Sequence, residues 1–137
     1  MRSYCSAAAG IVFLALVSAA WAQQPPASPQ QAPAIKRTVL NKVEVPGANY
    51  DVIYALVEIH ANAMVGRHTH PGAVFVYVLE GDYSFSLDGR AWKVYKSGEA
   101  FRIEPLDIHD EKAGAEGAKL LAVFTVERGK PLASPAN

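Results

Sequence analysis

HTHPGAVFVYVLEGDYSFSLDGRAWKVY, residues 68–95, is the stretch that decides the fold. Val74 to Leu79 is an unbroken β-branched and aromatic run, which predicts a strand buried on both faces. Glu80-Gly81 reads as a turn. Tyr83, Phe85 and Leu87 then alternate with Ser84 and Ser86, the period of a half-buried strand. Asp88-Gly89 is a strong hairpin signal, and Ala91 to Tyr95 returns. The same period extends outward. In Tyr50 to His60, Tyr54, Leu56, Glu58 and His60 share one face, and Ile53, Ala55, Val57 and Ile59 share the other. Lys96 to Glu99 turns again, and Ala100 to Ile103 and Lys119 to Val126 are further strands. No segment carries a sustained helical stripe. Short strands closed by glycine-containing turns indicate an all-β sandwich or barrel.

The same stretch begins with His68 and His70. Residues at i and i+2 on an extended segment project from one face, so two imidazoles stand side by side, as one metal ion requires. His109 is a third imidazole, on a later segment.

The ends of the chain read differently. Met1 to Ala22 has a short positive start, an apolar stretch from Ala7 to Ala20, and small residues at Ala20 and Ala22. This predicts a signal peptide cleaved after Ala22, hence a periplasmic or secreted protein. The apolar run is shorter than the ~20 residues a spanning helix needs, so no membrane attachment is expected after cleavage. The single cysteine, Cys5, lies inside this segment, leaving no thiol chemistry to the mature chain. Residues 23–35, rich in Pro and Gln, predict a disordered tether. Residues 36–128 form the expected domain, and residues 129–137, with Pro131 and Pro135, a flexible tail. Thirteen Lys and Arg balance thirteen Asp and Glu without a basic stripe, which argues against nucleic acid as a partner.

The chain resembles the small single-domain cupins, which are antiparallel β-barrels of the jelly-roll kind with a metal site in the mouth. Their first motif runs G(x)5HxH(x)3,4E(x)6G. Here it is matched by His68-x-His70 and Gly81, with Val74 where the motif places glutamate. Their second motif, G(x)5PxG(x)2H(x)3N, is matched by Gly98 and His109. Glu104, Leu106 and Ala113 stand at its proline, second glycine and asparagine, and Asn62 stands at the first glycine of the first motif. Sixteen residues separate Gly81 from Gly98, close to the short spacing of small cupins. The resemblance implies a cupin-like barrel and a metal site of His68, His70 and His109.

Val74 removes the motif's carboxylate, and three neutral ligands would leave the ion its full charge and more open positions. Glu104, Asp107, Asp110 and Glu111 lie near His109 as replacement carboxylates. A solvated rim is the plainer reading of all four, and Asp110 is expected to point away from His109. Glu104 and His60 are the candidates for a catalytic base. Tyr54, Tyr83, Phe85 and Trp92 are read as barrel filling. Zn, Cu, Fe, Ni and Mn all suit imidazole. Retention is expected to weaken below about pH 6, where imidazoles of ordinary pKa ~6.5 take up protons.

The resemblance implies a metal-dependent enzyme acting on a small organic substrate. Dioxygenase-type chemistry leads, with isomerase or lyase close behind. The alternative is a non-catalytic module that binds a metal or small ligand. A third reading is a structural barrel that forms a homodimer through a sheet face.

Overall fold

Period-two alternation becomes strand throughout the computed structural model, which describes residues 33–137. The expected signal peptide and nearly all of the expected tether lie outside the described residues. The strands are β1 (Ile35–Glu44), β2 (Tyr50–Ile59), β3 (His68–Thr69), β4 (Val74–Leu87), β5 (Lys93–Tyr95), β6 (Ala100–Ile103), β7 (His109–Glu127) and β8 (Ser134–Pro135). Among the described residues every regular element is a strand and every pairing is antiparallel. No helix there is long and apolar enough to cross a membrane. The all-β, cupin-like jelly roll is thus the observed architecture, a single sheet curled into a half-barrel.

β7 organises the sheet. Its second half lies between β2 and the first half of β4, and its first half pairs with the second half of β4, while His109 pairs with His68 of β3. β6 and β5 pair on the free side of β4. The inward residues of these strands form one core: Ala55, Val57 and Ile59; Val74, Val76 and Val78; Leu120, Ala122 and Phe124. Burying each valine contributes about 1.5–3 kcal/mol. At one end, Phe101 stacks on Tyr95 and Tyr83 with centroids 4.1 and 5.6 Å apart.

The curl has a local cause. β4 and β7 are too long to stay flat, and both bend where Gly81 faces Gly117. Both glycines have positive φ, and a Cβ on Gly81 would overlap the Gly117 carbonyl. The register of β4 against β7 shifts on either side of Gly81, so a bend within one strand replaces the expected Glu80-Gly81 turn.

Two further expectations change. Val74 to Leu79 is buried on one face only, because Phe75 and Tyr77 project from the outer surface at 47% and 44% exposure. The run is uniformly apolar because its outer face is apolar, with no second layer covering it among the described residues. The supposed tail from residue 129 is part of the sheet: Ser134 and Pro135 pair with Thr69 and His68, and the Ala136 amide donates to the Arg67 carbonyl at 3.0 Å. Proline lacks a donor but still fits at the edge of a sheet, so Pro131 and Pro135 did not exclude a strand there.

Candidate metal centre

Each imidazole of the centre is held by a backbone carbonyl. His68 Nδ1 donates to Gly66 O at 2.8 Å, His109 Nδ1 to Asp107 O at 2.8 Å, and His70 Nδ1 to Leu132 O at 2.6 Å. A carbonyl can only accept, so the proton sits on Nδ1 in all three rings and the lone pair on Nε2. The rings converge, with centroids 4.3 Å apart for His68 and His109 and 5.0 Å for each pair that includes His70. All three side chains are buried.

A carboxylate completes the group, and it comes from β7. Glu111 lies two residues beyond His109, hence on the same strand face, and is buried. Its Oε1 lies 3.6 Å from His109 Nε2 and 3.7 Å from His68 Nε2. Donor atoms of His68, His70, His109 and Glu111 all lie within 4.8 Å of one another. Two ligands each about 2.1 Å from an ion can be up to about 4.2 Å apart, so the carboxylate distances suit a shared ion. Nε2 of His68 and of His109 is buried with no hydrogen-bond partner. Buried lone pairs facing a carboxylate, with no proton between them, are unfavourable unless a cation joins them. The four side chains fit a divalent metal ion and could hold one.

The electrostatics agree. Burial holds the His70 imidazole down at about 4, against the pull of its carbonyl partner. Burial also lowers His68, although the Glu111 charge opposes it. Both rings therefore stay neutral, the ligating form, at lower pH than an exposed histidine. Burial raises Glu111, but His109 and His68 outweigh it and the net shift is downward, toward the carboxylate. Tyr83 is raised well above the usual phenol range, first by burial and then by the Glu111 charge. Its hydroxyl faces Glu111 without a hydrogen bond of acceptable geometry and is a buried polar atom without a partner.

The structure brings His68, His70 and His109 together, as the sequence suggested, and sorts the four nearby carboxylates. Asp107 serves through its backbone carbonyl. The Asp110 side chain points away from the centre and accepts from the Gly66 amide at 2.9 Å, fixing the loop before His68. Glu104 is exposed and paired with Arg102 on the outer surface, so it is no candidate base at this centre. His60 is likewise removed: it follows the last residue of β2 and is exposed. Tyr54 and Trp92 also lie outside the barrel, at 40% and 39% exposure, and Trp92 is covered by Lys112 at 4.4 Å. Tyr83 and Phe85 do fill the interior. Val74, buried at 2%, stays in the cavity wall beside the centre.

Glu111 could have been singled out by the alternation rule already applied to His68 and His70. Leu132 could not, because a backbone carbonyl leaves no mark in a side-chain pattern.

A family model described as a cupin domain matches residues 55–124, and the chain belongs to that family. It is similar to an RmlC-like cupin from Shewanella frigidimarina NCIMB 400 (24% identity, TM-score 0.57, covering 73% of this chain and 83% of that one). It is also similar to the polyketide cyclase RemF from Streptomyces resistomycificus (25%, 0.57, 71% and 68%). The fold is shared with the DMSP lyase DddQ from Ruegeria pomeroyi DSS-3 at 13% identity and a TM-score of 0.63, covering 75% of this chain and 52% of that one. No curated protein matches the sequence.

Proposed function

We propose that this chain is a metal-dependent cupin enzyme acting on a small organic molecule. The observation that carries this reading is the set of three imidazoles, each proton-locked at Nδ1, that faces the buried Glu111 carboxylate. A divalent ion held there would supply Lewis acidity or a place for dioxygen. His68, His70, His109 and Glu111 would hold it, the Gly66, Asp107 and Leu132 carbonyls would orient the rings, and the apolar wall would exclude water. Dioxygenase-type chemistry is the first activity to assay. Lyase and cyclase chemistry follow, since similar folds carry those names.

A second reading, a non-catalytic module that binds the metal alone, is favoured by the small size of the interior cavity, about 20 Å³. Small-molecule sites commonly span ~300–1,000 Å³. Export is part of the proposal and rests on the apolar segment before Ala22.

The experiment is elemental analysis of the protein purified from its export compartment, alongside a His68→Ala, His70→Ala variant. One transition-metal ion per wild-type chain and none in the variant supports the centre. Equal metal in both refutes it. An N-terminus at Gln23 supports export. Turnover by the metal-loaded protein that chelation abolishes separates the enzyme from the binding module.

A further inference from the structure

Tyr83 ends in a hydroxyl for which the described chain offers no partner. On the β4–β7 ladder Phe85 is paired with Glu111 and Tyr83 with Ala113. Tyr83 and Glu111 are therefore diagonal neighbours on the inward face, within reach of a long aromatic side chain. The Phe101 ring stacks on Tyr83 at 5.6 Å, and the residue is 0% exposed. Its hydroxyl has no route out to water.

The space it borders is small. The cavity beside the centre measures about 20 Å³, room for about one water-sized particle. Four polar side chains reach its wall, Arg37, His70, Tyr83 and Glu111, and the rest of the wall is apolar. Glu111 as a carboxylate only accepts, and the His70 Nδ1 proton is given to the Leu132 carbonyl. The donors left on the wall are Tyr83 and Arg37. Arg37 is half-buried on β1, in register with the buried Val57, and forms no ion pair among the described residues.

We propose that, once the centre holds a divalent ion, this cavity receives a single-atom anion the size of hydroxide, and that the Tyr83 hydroxyl donates the hydrogen bond that positions it. Without the ion, the Glu111 charge repels such a ligand and the hydroxyl stays unpartnered. With the ion, two positive charges outweigh the one negative charge of Glu111, and a buried donor gains an anionic acceptor. The volume sets the size limit, since a linear three-atom anion does not fit. An organic substrate is larger still and would meet the ion from another side. Tyr83 is thus a positioning residue for the small ligand and selects it by size. The proposal rests on the metal-dependent reading of the centre.

The probes are fluoride, close to hydroxide in size, and azide, three atoms long. Both are titrated calorimetrically into wild type and Tyr83→Phe, each loaded with Co²⁺ or treated with chelator, and cobalt content is measured. Phenylalanine keeps the ring and its stacking and removes only the hydroxyl. The expected result is fluoride affinity at least about tenfold weaker in the loaded variant, with cobalt content unchanged. Azide should bind both loaded proteins alike or neither, and chelator-treated wild type should not bind fluoride. Equal fluoride affinity in the two loaded proteins overturns the proposal, as does loaded wild type that binds no fluoride. Azide weakened as much as fluoride overturns the size limit, and fluoride bound equally after chelation overturns the dependence on the ion. A wild type that takes up no cobalt refutes the metal centre itself and this proposal with it, a failure the cobalt content tells apart from the others.

Discussion

Acidification of the metal-free protein should expose the cost of burying His70. Its pKa is about 4 in the folded chain, against an ordinary 6.5. Between those values the unfolded chain binds the proton that the folded chain refuses, so stability falls as pH falls. The His70 contribution is intact above pH 6.5, declines through the window to pH 4, and is constant below it. The full difference of 2.5 units corresponds to about 3 kcal/mol, and the loss between pH 7.5 and pH 5 to about 2 kcal/mol. For a domain of this size that lowers Tm by roughly 8–16 °C. Urea unfolding of chelator-treated protein at a series of pH values measures it. In His70→Asn the amide can still donate to the Leu132 carbonyl but does not titrate, so the loss should shrink to what His68 and the carboxylates contribute. If the asparagine variant loses as much stability as wild type over that window, His70 is not the group responsible.

Glu111→Gln removes the one anionic donor. Loss of groups that merely support ligands costs about 10–100-fold in metal affinity, so this change should cost at least about 100-fold, measured by competition with a chromophoric chelator. Truncation after Lys130 deletes β8 and the Leu132 carbonyl; metal affinity should fall by about tenfold or more while the far-UV spectrum stays that of a sheet, and unchanged affinity would show His70 to be positioned by packing alone. Tyr83→Phe removes a buried hydroxyl with no partner, so the metal-free protein should gain up to about 1 kcal/mol in urea unfolding; a loss of that size would mean the hydroxyl is satisfied in solution. Gly81→Ala forces a Cβ into the Gly117 carbonyl at a backbone conformation suited to glycine, and should destabilise by at least about 2 kcal/mol.

Strand periodicity was legible because it is local: alternation in Tyr50 to His60 and in Tyr83 to Leu87 needs no knowledge of what packs against either segment. It located the strands but not the side of the sheet that faces inward, so His60, Tyr54 and the outer face of Val74 to Leu79 were open to misreading. Spacing within one extended segment identified His68 with His70, and the same rule links His109 to Glu111. The motif comparison drew attention to Val74 and to the carboxylates near His109, of which Glu111 is the one that groups with the imidazoles. Leu132 reaches the centre only through tertiary closure, from a chain position about 60 residues from His70, and no local pattern signals such an approach.

His68 and Glu111 lie on separate strands, joined through the whole β4 hairpin and β6. An ion bonded to both would cross-link a loop of about 44 residues, worth on the order of 4 kcal/mol by loop-closure entropy. Among the described residues there is no cysteine, and that ion would take the part of a disulfide, with one difference: it can be withdrawn. Resistance to proteolysis would then track metal supply, and starvation for the ion would shorten the protein's lifetime.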